Sequence, residues 1–487
     1  NPLPADELEM ARQQALAKLV KSDDQEGLAL NLGQLEIYQI PFSALNQRQR
    51  DLLNVTAQDI QRVARTYFSP QRTTVVHILP MQTPSLATTA ELTLRNGLKI
   101  IILEHPRSTD VVCALNFKVG SRDESANNSG INKLLTEILF ADKNFVVSEN
   151  FQILNCNDFT HWVDTVKPGE LNNYFKNLDT IMSTPALTQE SMTQEIEYEL
   201  QHREKIRSST SNCINFDEFK SLTYPISGYG NLSITPDSAT NIDLKQVQQW
   251  QQNYYSPGNA CLVIVGNVKA GAIEALAQQH FGAVPFRQTA STQKVKELCE
   301  PGKRHITLHM NTTTPKLSVA FNVPGLVEAV TENSNAPLQI LSALLEQNYK
   351  SLLFASDGKC DFFQRKHAGL FSISVTANSA DQSLEQLEAD LIELIEGFKL
   401  NVAPPEYIES AREQAISKIV EREINDKKTA FDLSLLEDSQ VPFTYLDQRH
   451  NNLLETTAEE IQRAAYTYFT PQRMTVAHIL PMQASKQ

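Results

Sequence analysis

A long internal repeat constrains this chain of 487 residues more than any other feature of its sequence. Residues 1–20 match 401–420, and TYFSPQRTTVVHILPMQ at 66–82 returns as TYFTPQRMTVAHILPMQ at 467–483. The offset is 400 residues in the first helix (411 against 11) and 401 in the last segment (467 against 66). A period this long is not that of a solenoid, so it indicates duplication of a large unit. The chain therefore holds the end of one unit and the whole of a second.

The repeat raises a question about the strand at the end of the first copy. Residues 73–79, TTVVHIL, have a β-branched strand composition, but no strand-like segment precedes them. In the second copy the pairing strands would come from about 303–323 and 370–377. Because an apolar strand with unpaired edges is prone to aggregate, we expect a segment of about one unit's length before Asn1, as a separate or missing part of the molecule. The alternative is that residues 1–82 pack alone on the second unit.

Composition narrows the class of protein. A chain with 41% hydrophobic residues can bury more than one core. The net charge of −14 argues against a nucleic-acid binder, because phosphate contacts need clustered Lys and Arg. No stretch of about 18 apolar residues suggests a membrane span. The cysteines are scattered and are interpreted as free thiols acting as small core residues: Cys113, Cys156, Cys213, Cys261, Cys299 and Cys360.

Strand and helix patterns alternate along the second unit. ELTLRNGLKIIILEH at 91–105 predicts a hairpin that turns at Asn96-Gly97. We predict further strands and helices in this order: strand 111–120, helix 130–140, two strands within 151–166, helices 168–182 and 188–205, strand 260–268, strands 304–310 and 317–323, helix 335–347, strand 370–377, helices 381–398, 403–428 and 456–467, and strand 474–480. Strands mixed with long helices predict an α/β fold, an α+β sandwich in which each mixed sheet is covered by helices.

Domain boundaries follow from this pattern and from the repeat. We expect the C-terminal part of a preceding unit at 1–82 and a Pro/Thr/Ser linker at 83–90. A first domain at 91–287, a second linker at 288–302 and a second domain at 303–487 complete the chain. The two domains would be similar in kind.

The stretch GSRDESANNSGINKLLTEILF at 120–140 leads to a family. A Gly-rich polar turn is followed by an amphipathic helix with apolar residues at Ile131, Leu134, Leu135, Ile138 and Leu139. This stretch resembles the zinc-site segment of the pitrilysin/insulinase metallopeptidases, the inverted-zincin type. LTLRNGL, NFKVGSRDE, NYYSPGNACLVIVGNV and the closing Tyr-Phe-x-Pro-x-Arg strand resemble family landmarks in the same order. The resemblance covers about 91–483 as one full unit and 1–82 as the end of another.

The resemblance implies where a zinc site would lie. In the family a helical His-x-x-Glu-His supplies two zinc ligands and the base that activates water. Laid on this sequence, the first His falls on Lys133, the Glu on Thr136 and the second His on Glu137. The family's third ligand, a Glu on a later helix, falls on His202, and an upstream acidic position of that helix is retained as Glu195.

The motif positions therefore predict no catalytic residue and no metal ligand set. An ammonium cannot donate a lone pair to zinc, and Thr136 cannot serve as the base. With a shift of a few residues in the alignment, Glu199 would take the third-ligand place instead of His202. We expect Lys133 to form a salt bridge with the nearby acids in place of the metal. The alternative is a rearranged site in which Glu137 and His202 bind an ion together with a third ligand.

The other histidines give weaker evidence for a metal or catalytic site. His305 and His309 are four residues apart, but HITLH reads as a strand, which places them roughly 13 Å apart at about 3.3 Å per residue. They are interpreted as half-exposed strand residues. His77 and His478 occupy the same place in the two copies, which favours a packing role. His161 lies beside Trp162 with no nucleophile at a useful spacing.

The resemblance implies a function for the whole. Two similar units would face each other as half-shells around a peptide chamber, with zinc in the active half and no cofactor in this chain. This chain would be the inactive half, which closes the chamber and helps to bind unfolded peptides. Its partner would be an active unit preceding Asn1 or in another chain, and a homo-oligomer is also compatible. The alternative is a structural or assembly subunit with the same fold. Similar bacterial proteins favour a periplasmic over a cytoplasmic location.

Overall fold

The computed structural model describes residues 5–21, 25–68, 89–141, 147–183, 186–209, 217–226, 228–230, 234–289, 300–348, 355–379 and 382–482. The chain forms two compact units, Asn1–Ser85 and Leu86–Gln487. None of the helices among the described residues is long and apolar enough to span a bilayer.

The first unit is helical over its described residues. Its helices are α1 (Ala5–Lys21), α2 (Gln25–Ile37), α3 (Ser43–Asn54) and α4 (Ala57–Tyr67). The sequence pattern predicts one long helix over 1–28; α1 and α2 cover most of that range, and residues 22–24 between them lie outside the described residues. Thr56 caps α4 through a reciprocal pair of hydrogen bonds with Asp59. The predicted strand at 73–79 lies outside the described residues, as does His77.

Six strands of the second unit form the first sheet. They are β1 (Thr89–Thr93), β2 (Lys99–Glu104), β3 (Val111–Phe117), β4 (Gln152–Asn155), β5 (Thr160–Val166) and β6 (Ala260–Gly266). Their order is β1-β2-β6-β3-β5-β4, and β2 and β6 are the parallel pair. The predicted hairpin is confirmed: β1 and β2 are antiparallel, and Gly97 takes a positive φ of 86° in the turn between them.

Helices accompany this sheet. They are α5 (Ile131–Phe140), α6 (Leu171–Met182), α7 (Gln189–Ser209), α8 (Asp217–Thr223), α9 (Pro236–Asn241), α10 (Leu244–Tyr254) and α11 (Ala270–Phe281). The apolar sides of α5, α6, α10 and α11 share one core with the strands. β3 and β6 are buried along their whole length because both faces of the sheet are covered.

Five strands form the second sheet. They are β7 (Arg304–Met310), β8 (Lys316–Val323), β9 (Ala355–Gln364), β10 (Gly369–Ala377) and β11 (Met474–Pro481), in the order β7-β11-β8-β10-β9. β11 pairs in parallel with β7 and antiparallel with β8. The expectation that the segment at 370–377 would also pair with the last strand is wrong, since β10 pairs with β8 and β9. β9 was not predicted, and it fills that edge of the sheet.

Long helices cover the second sheet. They are α12 (Leu326–Thr331), α13 (Asn335–Asn348), α14 (Leu384–Leu400), α15 (Pro405–Glu423), α16 (Asp426–Ser439), α17 (Thr444–Glu455) and α18 (Ala458–Tyr468). The single helix predicted over 403–428 is two helices, because the Asn425 side chain accepts from the N–H of Lys428 and starts α16 anew. α17 was not predicted.

The two sheets exchange covering elements. Ala430 and Leu433 of α16 pack on the face of the first sheet opposite α5, and the segment around Phe219 packs on the second sheet. Glu437 of α16 pairs with Lys99 (2.6 Å) and Lys118 (2.8 Å) of the first sheet. The structure thus confirms a mixed α/β fold of two sheets covered by helices.

The cysteines within the described residues are free thiols, as predicted. Burial raises the pKa of Cys156 and of Cys360 to about 12, so both remain protonated, and Cys360 packs as a small residue in the core of the second sheet. Cys213 and Cys299 lie outside the described residues.

Candidate functional site

The motif helix α5 begins at a turn that only glycine fits. Gly130 has a φ of +87°, and a Cβ there would lie 2.5 Å from the backbone nitrogen of Ile234. The buried Glu124 side chain accepts hydrogen bonds from the N–H groups of Gly130 (2.8 Å) and Asn132 (3.0 Å), which satisfies free donors at the helix start. Burial raises the pKa of Glu124 to about 8, against the lowering effect of these two hydrogen bonds.

α5 has a buried apolar side and a half-buried charged side. The apolar residues predicted from the spacing are all buried: Ile131, Leu134, Leu135, Ile138 and Leu139. Lys133 and Glu137 lie one helical turn apart and are each half-buried. α5 packs directly against α7, so the helix expected to carry the third ligand does lie beside the motif helix.

Lys133 forms an ion pair with Glu199 of α7, and its ammonium donates a short hydrogen bond to Oε2 of that carboxylate. The Glu199 side chain is 10% exposed and that of Lys133 is 30% exposed, so water only partly screens the pair. A zinc ion bound to an imidazole lies about 2 Å beyond the ring. The longer lysine side chain carries its own positive charge outward in a similar way, toward the carboxylate of the neighbouring helix.

The position that the resemblance assigns to the catalytic base holds the buried hydroxyl of Thr136. Thr136 is fully buried, donates to the backbone oxygen of Lys133 (2.7 Å) and accepts from the Asn155 amide (3.0 Å). The hydroxyl already donates one hydrogen bond and accepts another. An alcohol is also far too weak a base at neutral pH to take a proton from water.

Two further carboxylates flank the ion pair. Burial raises the pKa of Glu195 to about 6, and the charges of Glu137 and Glu199 raise it further. Burial also raises the pKa of Glu137, with Lys133 acting in the opposite direction and Glu199 reinforcing the rise. Glu137, Glu195 and Glu199 therefore lie near the positive charge of Lys133, which lowers the pKa of both Glu137 and Glu195 against the effect of burial.

His202 faces a different set of neighbours. Its Nδ1 lies 2.9 Å from the backbone oxygen of Tyr198, and its ring stacks on the Tyr198 ring with centroids 3.8 Å apart. The charge of His202 lowers the pKa of Glu195, against the larger rise that burial causes. Of the two third-ligand alternatives, the geometry thus favours Glu199, which meets the motif helix, over His202.

A buried polar network beneath the motif was not predicted from the sequence. The Asn132 amide donates to Thr160 Oγ1 (2.8 Å) and Asn155 Oδ1 (3.1 Å), and its oxygen accepts from Trp250 Nε1 (3.2 Å) and the Tyr255 hydroxyl (3.3 Å). A polar residue interrupting an apolar helical stripe was the one signal of it. The network holds α5 to the first sheet and to α10.

Histidines outside the motif divide into two kinds. His161 is buried beside Asn116, and burial lowers its pKa to about 3, which fits a packed neutral ring. His305 and His478 belong together with Glu388: one potential ligand atom from each lies within 4.8 Å of the other two. Over the described residues this is the one group of three or more such side chains, and it lies away from the motif positions.

Two mixed sheets covered by helices define a metallopeptidase-like fold, and its helix α5 carries an ion pair at the position where the resemblance would place a zinc ligand. Residues 241–415 match the family profile described as the peptidase M16 inactive domain. Together with the relatives and folds below, this match confirms the resemblance of the chain to the pitrilysin/insulinase-like M16 peptidases.

Curated relatives include a zinc protease and a homologue of insulin-degrading enzyme. "Zinc protease PqqE" of Helicobacter pylori is 24% identical over 335 residues, which cover 63% of this chain and 74% of the relative. The "Insulin-degrading enzyme homolog" of Dictyostelium discoideum is 23% identical over 326 residues, and the match spans only 32% of that relative's length.

Solved structures share the fold at low identity. A protease from Helicobacter pylori superposes with a TM-score of 0.71 at 18% identity, covering 82% of this chain and all of that chain. The periplasmic protease PqqL from Escherichia coli gives 0.67 at 14% identity, covering 82% of this chain and 48% of that one. A chain of complex III2 from Candida albicans gives 0.67 at 12%, covering 81% and 96%.

Proposed function

We propose that this chain is the non-catalytic half of a pitrilysin/insulinase-type peptidase, which closes a peptide chamber against an active half that carries the zinc. The observation that carries the proposal is the ion pair between Lys133 and Glu199, which takes the place of a metal centre. The Thr136 hydroxyl is buried and hydrogen-bonded. The motif helix therefore offers neither histidine ligands for an ion that would activate water nor a base that would take its proton. The two domains of this half are those at 91–287 and 303–487.

The length relationship with relatives supports this assignment. The chain matches 48% of the length of the periplasmic protease PqqL, and it contains an internal repeat of its own closing segment. Both are expected of a half-molecule in a duplicated peptidase. In this proposal the zinc and the catalytic base belong to the other half, whether that half lies in the same molecule or in another chain.

A peptide surface lies next to the degenerate motif. β4 is the terminal strand of the first sheet as described, its residues are mostly exposed, and α5 packs against it. An extended peptide can add to such an edge through main-chain hydrogen bonds without requiring a particular sequence. We propose that unfolded peptides bind here and are presented to the active half.

The proposal is tested with the purified chain and a quenched fluorescent unfolded peptide, alone and mixed with the zinc-bearing unit encoded with it. We expect peptide binding but no turnover by the chain alone, and turnover that needs both halves in the mixture. The zinc content of the mixture should follow the amount of the partner. Zinc-dependent cleavage by this chain alone that Lys133→Ala abolishes would contradict the proposal.

The second candidate is a structural or assembly subunit with no peptidase role. The fold match to a chain of complex III2 is the observation that favours it. The partner distinguishes the two: a unit with His-x-x-Glu-His favours the peptidase half, and a second unit without that motif favours the scaffold.

A further inference from the structure

Two histidines from neighbouring strands face one glutamate of a covering helix. β7 and β11 run parallel, with His305 opposite Val476 and Thr307 opposite His478. Because paired residues point to the same side of a sheet and side chains alternate, His305 and His478 lie diagonally adjacent on one face. Their rings are 4.4 Å apart at the centroids and nearly perpendicular.

Glu388 of α14 completes the group from above that face. Its Oε2 lies 3.0 Å from His478 Nε2, and its Oε1 lies 3.1 Å from Nζ of the half-exposed Lys303. Glu385, one turn earlier on α14 and 80% exposed, places Oε1 3.9 Å from His478 Nδ1. His478 is nearly buried and His305 is exposed, so the group opens to solvent on the His305 side.

The chemistry of these donors matches a particular class of ion. Two imidazoles and one carboxylate are the ligand set that zinc and its neighbours in the transition series favour, whereas calcium and magnesium prefer oxygen alone. The donor atoms are within 4.8 Å of one another. Tetrahedral ligands on zinc are on the order of 3.3 Å apart, a contraction that small side-chain rotations supply.

The group can also accommodate the proton that metal binding displaces from Nε2 of His478. If Nε2 of His478 binds the ion, the ring hydrogen moves to Nδ1, which faces Glu385. A carboxylate on the far nitrogen is the usual outer partner of a metal-binding histidine, and it orients the ring. Lys303 remains on the other carboxylate oxygen of Glu388, so it need not leave.

We propose that His305, Glu388 and His478 form a binding site for a divalent transition-metal ion of the zinc class, with water as the fourth ligand. The ion links α14 to the β7–β11 edge of the second sheet. The site is separate from the degenerate motif, which lies on a helix of the first sheet. A test of this metal site is therefore independent of a test of the proposed peptidase role.

The test uses the full chain, freed of any affinity tag and stripped with a chelator, titrated with cobalt(II) and then zinc. We expect one equivalent of cobalt with the visible absorption of a tetrahedral ion, displaced by zinc, and a rise in unfolding temperature with zinc. His305→Ala, an exposed position that folding tolerates, should weaken binding at least about tenfold. Glu388→Gln should do the same.

His309→Ala is the matched control, since His309 is an exposed histidine on the same strand and face. It should bind cobalt as the unmodified chain does. Absence of a cobalt spectrum in the unmodified chain would overturn the proposal. So would a spectrum and affinity that His305→Ala leaves unchanged.

Discussion

Replacing Lys133 by Met tests whether its ion pair with Glu199 stabilises the contact between α5 and α7 in place of a metal ion. The substitution keeps the aliphatic length but removes the charge, and it leaves the buried Glu199 carboxylate beside Glu137 and Glu195 without a cation. Removing one partner of a buried pair costs about 3–5 kcal/mol, whereas exposed pairs contribute about 0–1 kcal/mol. With side chains 30% and 10% exposed, we expect a loss of about 2–3 kcal/mol at pH 8.

The loss should depend on pH in a definite direction. Glu195 has a raised pKa of about 6 in the fold against an ordinary 4.5. A raised acid pKa gives stability that is complete below 4.5 and lost as pH rises through 6. Repulsion among the carboxylates is thus greatest above pH 6, where the lysine matters most. At pH 4.5 and below, the effect of Lys133→Met should shrink markedly.

Urea unfolding followed by tryptophan fluorescence measures this loss. Trp162 lies in β5, and Trp250 on α10 donates to Asn132 of the motif helix, so both report on the first sheet. Lys176→Met on the exposed side of α6 is the matched control and should change little. The double variant Lys133→Met/Glu199→Leu should recover most of the loss, since no charge is then left unpaired. A single variant within about 0.5 kcal/mol of the unmodified chain at pH 8, with no coupling in the double-mutant cycle, would refute the reasoning.

Three further outcomes are expected. Glu195→Gln should stabilise the chain by about 1 kcal/mol at pH 8, after allowance for solvent screening, and by nothing below pH 4.5, as measured by urea unfolding across pH. Lys133→His combined with Glu137→His should bind one zinc ion by metal analysis yet cleave no peptide, because Thr136 is still not a base; failure of the folded variant to bind zinc would show that the scaffold has lost more than its ligands. Asn132→Ala should cost about 2–3 kcal/mol and change the Trp250 emission, because several buried partners lose their hydrogen bonds; an unchanged spectrum and stability would contradict the role given to that network.

Much of the fold was predictable where the signal is local. The Asn96-Gly97 turn, the apolar stripe of α5 and the buried runs of β3 and β6 are each encoded within a few residues, and the structure confirms them. The errors occur where local signals are weak. Asn425 splits one apparent helix into two because a single side chain caps the second, and β9 carries too many polar residues to be recognised as a strand before its partner β10 is known.

The sequence by itself indicated the family resemblance, the helix on which that resemblance places the zinc motif, and the chemical identity of the residues at those positions. Only the tertiary structure decided which residue of α7 meets Lys133, because α5 and α7 are far apart in sequence and their contact selects Glu199 over His202. The same is true of His305 and His478. Their parallel strands pair across the whole length of the second domain, and no spacing along the chain reports a contact that sheet pairing creates.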